Sequence, residues 1–423
     1  MYTHNSTRKK DALAALAVVL ATAAIFALLF DRESTLSYSI GYNLYGAERI
    51  LAGEVPYRDF HTLYPPATVY ANAALFLLLG ITLYTALLGV LVFKVLTTLF
   101  IYLCGVHLMP RAWALLAALS SVIWLRPNGP FKAVPMHYGA LFLVLALYFG
   151  LHHQRSRKWG HLFACGAMLG ALALFKHNIA TYALLGFLTV AVVDARRADR
   201  RARGPLLMLA GMALPVIPVV LYMQLQGALL PMLKTLLFGP GDFLLSRLAA
   251  APGARVPALC LVLLGAVFFA AYKLRAKPAA ASAILAGLLI LVTAFCLGAG
   301  QSAIDEIVFY APVFVLAAGA ISLGLSIKTG KSDLVLLLVL TSAAAAFLES
   351  FPRFAREQAI AAMPFVTLLM LFLLHRARDT VRSLMPGAVP RRAAAAILPL
   401  VFFLMGGRIL FNTYFDRSFH FKS

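Results

Sequence analysis

The sequence predicts an all-α, polytopic membrane bundle of about thirteen transmembrane helices, with interfacial helices in the first outer loop. Three observations predict it. Of 423 residues, 62% are hydrophobic and 13% charged, whereas soluble domains are about half apolar and a quarter charged. Apolar runs recur from residue 12 to residue 411, many of them close to the roughly 17–25 residues that cross a bilayer. The formal net charge of +21 is distributed among the loops with a parity that matches membrane insertion, since cytoplasmic loops collect Lys and Arg. In a soluble protein such basicity would suggest nucleic acid; here no nucleic-acid partner is expected.

Taken in order, spans are expected near 12–30, 82–108, 111–126, 137–152, 160–175, 178–193, 205–226, 256–274, 279–299, 305–326, 333–349, 358–375 and 393–411. Together they make residues 1–423 a single integral membrane domain. Arg8, Lys9 and Lys10 precede the first run, no small-residue cleavage site follows it, and it is longer than a signal-peptide apolar region, so it reads as an uncleaved anchor. The stretch 67–80 (ATVYANAALFLLLG) is short for a span, and charge decides its place. If it lies on the surface, 22 basic residues fall on the N-terminal side and 14 on the other, with Lys94 inside a span. If it crossed, most of those 22 would change sides. The N-terminus is therefore expected in the cytoplasm. Eleven of the 16 acids fall on the outer side. Acids contribute little to topology, so this bias points to chemistry at the outer face. Cys104, Cys165, Cys260 and Cys296 all sit in apolar runs without ligand spacing, which suits buried thiols and neither a disulfide framework nor a zinc site.

The outer segment 31–80 is the informative one. Ile40, Leu44, Ala47 and Leu51 repeat at helical spacing and Gly53 follows as a stop, giving a short amphipathic helix at the interface, where tyrosines such as Tyr42 and Tyr45 are at home. A turn-rich stretch runs from Pro56 to Pro66, and the two prolines at its end suit the first turn of a second interfacial helix over 67–79. A second larger outer loop, 227–255, carries a short apolar piece at Leu229–Phe238 and then Gly239-Pro240-Gly241-Asp242. It fits a lid or acceptor-side loop, and equally a re-entrant or interfacial helix. Arg196 to Arg203 is arginine-rich but abuts a span, as a topology signal in contact with anionic lipids does.

The string GYNLYGAERILAGEVPYRDFHTLYPPATVY at 41–70 resembles the first periplasmic loop of GT-C-type membrane glycosyltransferases, the bacterial relatives of protein mannosyltransferases and aminoarabinose transferases. Those carry a tyrosine-rich helix, then L-x-G-x-x-P-Y-x-D-F and Y-P-P. Lys176-His177-Asn178 after a small-residue-rich span, and Phe351-Pro352-Arg353-Phe354, are similar to shorter family features. The resemblance implies a many-span fold in a bacterial inner (cytoplasmic) membrane, a polyprenyl-phosphate sugar donor, and an essential carboxylate in the first loop facing the periplasm. Where the family usually has that aspartate, this chain has Ser39. Either the base has moved to Asp31 or Glu33, or Asp59 serves, or catalysis has been lost.

Transfer of a sugar to a hydroxyl requires a base at the acceptor and cations at the leaving phosphate. Asp31, at the outer end of the first span, suits the base. Glu33 follows it. Asp59 lies between Arg58 and His61, where it also reads as a structural Arg–Asp clasp, and Glu48 beside Arg49 reads as helix surface. Lys176, His177, Arg353 and Arg58 are the phosphate-binding candidates, each of them equally able to snorkel to the headgroups. His61, Tyr64 and His137 are read as acceptor-side or structural loop residues. Lys94 is the basic residue deep within a span, which flags function or a partner on a neighbouring helix. No metal cluster and no nucleotide-sugar signature are seen, so no resident cofactor is expected, with a divalent cation between an acid and the phosphate left open. The expected partners are the polyprenyl-phosphate sugar donor, a glycan, lipid or protein acceptor, and membrane lipids. Two rival readings stay open: a transporter or flippase of a lipid-linked glycan, and a non-catalytic GT-C-like membrane partner.

Overall fold

The computed structural model describes residues 2–29, 38–124, 134–197, 203–238, 301–328, 333–349 and 356–384. Helices occupy α1 (Tyr2–Leu29), α2 (Tyr38–Leu51), α3 (Ala67–Leu79), α4 (Leu83–Leu108), α5 (Arg111–Trp124), α6 (Pro135–Ser156), α7 (Trp159–Phe175), α8 (His177–Arg197) and α9 (Arg203–Leu225). They continue with α10 (Leu229–Phe238), α11 (Gln301–Lys328), α12 (Leu334–Leu348) and α13 (Arg356–Leu384). Ten of the expected spans coincide with helices; those at 256–274, 279–299 and 393–411 lie outside the described residues, as does 239–255 of the second larger loop. Four helices, Leu83–Leu108, Pro135–Ser156, His177–Arg196 and Arg203–Leu225, are long and apolar enough to cross a membrane. Among the described residues no β-strand occurs, as the bilayer requires of a chain whose backbone groups must be satisfied within each segment.

The main core lies where α4 to α8 meet α12 and α13, around Leu147, Leu169, Phe187, Leu336 and Leu368. Both α7 and α9 hold small residues at their crossing. A Cβ on Gly166 would collide with the carbonyl oxygen of Met208, one on Gly170 with that of Met212, and one on Gly211 with that of Phe163. Such close backbone approach is how membrane helices gain van der Waals contact where lipid offers no hydrophobic drive between them. Pro215 and Pro218 lie inside α9.

The two ends of the bundle differ. At one end Arg111 pairs with Asp11, Arg157 with Asp194, Arg376 with Asp333, and His153 Nε2 lies 3.0 Å from Asp194 Oδ2. These are the basic loops that sorted together by charge. The first loop, with α2 and α3, covers the opposite end. There α2 turns inward a face of Asn43, Gly46 and Ala47, leaving Leu51 37% exposed. This is one step round from the expected Ile40–Leu44–Ala47–Leu51 stripe. The reason is steric: at Gly46 a Cβ would meet Val69 Cγ1 at 3.0 Å, so α3 packs where α2 is thinnest.

A Gly166→Val substitution is expected to destabilise the bundle by about 3 kcal/mol, seen as a lower melting temperature of the detergent-purified protein. The exposed Leu214→Val should change it little.

Candidate functional site

The first loop is held by one arginine and one aspartate. Gly53 takes φ +86°, which glycine adopts without a side-chain clash, and turns the chain out of α2. Arg49 then pairs with Glu54, donates from Nη2 to the Asp59 carbonyl at 3.1 Å, and lies 5.0 Å over the Phe60 ring. The Asp59 carboxylate accepts from the Val55 amide at 2.7 Å and from Arg58 at 2.8 and 2.9 Å. The Arg58 guanidinium first, and the Val55 amide second, hold that carboxyl down at about 2. Asp59 is therefore an anchored anion, and the expected Arg–Asp clasp is present.

Arg58 extends the clasp to the joint between α9 and α10, donating to the Gln226 carbonyl and to its Oε1, each at 3.2 Å. Tyr57 packs there with Val55, Met223, Ala228 and Met232. It does so at φ +70°, an unusual conformation for a non-glycine residue that surrounding structure must hold. Its hydroxyl, whose pKa burial pushes up, donates to the Tyr64 carbonyl, and the Tyr42 hydroxyl donates to the His61 carbonyl at 2.7 Å. These bonds fix the descent of the chain towards Pro65 and Pro66.

What they position is Tyr64, whose ring lies 4.3 Å from Lys176 Nζ. Lys176 occupies a break between α7 and α8. Its amide donates to Leu172 at 2.7 Å and its carbonyl accepts from Ala180 at 3.2 Å, so neither backbone group is stranded. Gly139 on α6 faces it, where a Cβ would stand 3.6 Å from Lys176 Cβ. The ammonium lies 3.0 Å from Glu349 Oε1, and the two side chains are 9% and 2% exposed. Beside Glu349 is a cavity of about 10 Å³, bounded by Met136, Gly139, Ala140, Ile179 and Phe365, the size of one water. Tyr138 reinforces the same end, donating to Asn72 Oδ1 of α3 at 2.8 Å.

The candidates thus fall into two neighbourhoods. Tyr64 and Lys176 are in contact, with His177 next in the chain, its Nδ1 buried, and His137 buried at the start of α6. Arg58 and Asp59 pair with each other and meet Gln226, while His61 offers its carbonyl to Tyr42. Asp31, Glu33 and Arg353 lie outside the described residues, and of Ser39 only its place in α2 is described. Lys94 is buried, its Nζ 5.3 Å over the Phe26 ring of α1. Among the described residues no group of three or more His, Cys, Asp or Glu could hold a metal ion. Sequence reasoning missed Glu349 as a site residue and Arg49 as the organiser of the loop. The available signal for Glu349 was an acid closing an apolar run on the same side as Lys176.

Two solved structures share this arrangement of helices. The oligosaccharyltransferase of Archaeoglobus fulgidus in the apo form matches at 16% identity and a TM-score of 0.53, over 93% of this chain and 56% of that one. The same enzyme tethered to an acceptor peptide containing the NVT sequon matches at 14% and 0.52, over 93% and 55%. The chain has the GT-C fold. It spans about half the length of those oligosaccharyltransferase chains. ArnT from Cupriavidus metallidurans, bound to undecaprenyl phosphate, aligns at 16% identity over 89% of this chain and 78% of its own, with a TM-score of 0.42, too loose an overlay to bear on the site. No family model and no curated protein matches the sequence. Within the GT-C fold, the two short helices and their turn form the cover over the ends of α6 to α8.

Because Asp59 ionises at about 2 in the folded loop against an ordinary 3.8, its contribution is complete above roughly pH 4 and is lost as pH falls through 2. Hydrogen exchange at the Val55 amide is expected to stay slow at neutral pH and to accelerate over that window, beyond its intrinsic pH dependence. In Asp59→Ala, which removes the acceptor, it should be fast throughout; protection equal to wild type in that variant would contradict the anchoring role.

Proposed function

We propose that this chain is a GT-C-type glycosyltransferase that takes a sugar, hexose or pentose, from a polyprenyl-phosphate-linked donor and passes it to a glycan, lipid or protein acceptor. The reaction belongs at the periplasmic face of a bacterial inner membrane, in a single domain of about thirteen crossings with the N-terminus in the cytoplasm. One observation carries the reading: the first loop lays Tyr64 over Lys176, a buried cation at a helix break beneath the two-helix cover. A buried cation at a helix break suits a phosphate borne on a lipid.

In this reading Lys176 supplies a point charge to the donor phosphate, with His177, Arg353 and Arg58 as further donors. Asp31, immediately after α1, is the base, with Glu33 beside it. The acceptor hydroxyl oxygen attacks the anomeric carbon as the carboxylate takes its proton, and the bond from that carbon to the phosphate oxygen breaks with its electrons on the phosphate. A single displacement inverts the sugar carbon. The Arg58–Asp59 clasp shapes the loop, and His61, Tyr64 and His137 border the acceptor side. If a divalent cation takes part, Asp31 and Glu33 would be the residues to hold it, and it would supply charge neutralisation for the leaving phosphate.

The test is transfer by full-length protein in nanodiscs, supplied with undecaprenyl-phosphate hexose and candidate acceptors. Sugar transfer is expected, with Asp31→Asn slowing it about 10²–10⁴-fold. Binding of undecaprenyl phosphate without turnover on any acceptor would favour a non-catalytic partner. Movement of glycolipid across vesicle membranes without transfer would favour a transporter; either result overturns the enzymatic reading.

A further inference from the structure

Lys176 is not offered to solvent. Its ammonium sits between the Glu349 carboxylate at 3.0 Å and the Tyr64 ring at 4.3 Å, and the backbone on both sides is tied into α7 and α8. A phosphate reaching this ammonium meets a carboxylate already engaged with it. Two anions sharing one cation in apolar surroundings repel each other strongly. Next to the carboxylate is a small cavity of about 10 Å³, space into which the Glu349 side chain can turn when the ammonium leaves it.

Resting on the reading of Lys176 as a donor-phosphate ligand, we propose that Glu349 is a positioning residue that competes with the lipid phosphate for Lys176. While the site is empty it holds the ammonium in place beneath Tyr64. When a polyprenyl phosphate arrives, it yields the ammonium and turns into the adjoining cavity. Glu349 thus sets how readily the site captures and releases the phosphate-bearing lipid, including the polyprenyl phosphate left after transfer.

Undecaprenyl phosphate titrated onto full-length protein in nanodiscs, followed by native mass spectrometry, tests this. Glu349→Gln removes the competing charge and keeps the size and shape of the side chain. It is expected to bind the lipid at least about fivefold more tightly than wild type, an increase that damage to the fold does not produce. Lys176→Met should weaken binding about tenfold, and Lys176→Met/Glu349→Gln should show no gain over Lys176→Met alone. If Lys176→Met weakens binding but Glu349→Gln binds no better than wild type, the role of Glu349 is overturned while the phosphate site stands. If Lys176→Met binds as wild type does, the phosphate site itself is overturned. Should Glu349→Gln fail to fold, Glu349→Asp, which keeps the charge but shortens its reach, must bind the lipid more tightly than wild type; equal or weaker binding contradicts the proposal.

Discussion

A charge placed among apolar helices has to find its opposite, and Lys176 finds Glu349. Burying two charges costs several kcal/mol each before their attraction is counted, and removing one partner of such a pair typically costs about 3–5 kcal/mol. The pair joins the α7–α8 break to the end of α12, and the Tyr64 ring closes over it. Everything distinctive about this end of the bundle follows from the need to hold that ammonium: the close approach of α6 at Gly139, the bond from Tyr57 to the Tyr64 carbonyl, and the clasp that keeps the loop in place.

The other end shows what charge looks like when it serves architecture alone. Arg111–Asp11, Arg157–Asp194 and Arg376–Asp333 join neighbouring helices, and each arginine is about a third or more exposed. Exposed pairs of this kind contribute little each. Their common placement fits the charge parity, with basic groups gathered where the chain turns. The covered end instead buries its charge at a helix break beneath two short helices.

Much of this was legible in the sequence. The helices of the described bundle follow the apolar runs, because a bilayer leaves a crossing segment little choice but a helix. The expected second helix of the first loop is present at Ala67–Leu79 beside α2, and the glycine and proline signals at Gly53 and Pro66 marked real boundaries. The inward face of α2 was misjudged by one step, because pattern reading weighs side-chain apolarity, whereas Gly46 is chosen for its thinness against Val69. The site was legible in part. Lys176 and Tyr64 stood out singly, but their contact spans more than a hundred residues and no local spacing encodes it. Glu349 was hidden because a lone acid at the end of an apolar run is ordinary until its partner is known, and Arg49 because its partners gather only when the turn closes.

The most direct test of the account is an experimental structure of the full chain with undecaprenyl phosphate bound. The account places the phosphate at the α7–α8 break, in hydrogen-bond reach of Lys176 Nζ and beneath the first loop, with Glu349 turned away from the ammonium. A phosphate seated elsewhere, with Lys176 and Glu349 still paired as they are without it, would contradict the central claim.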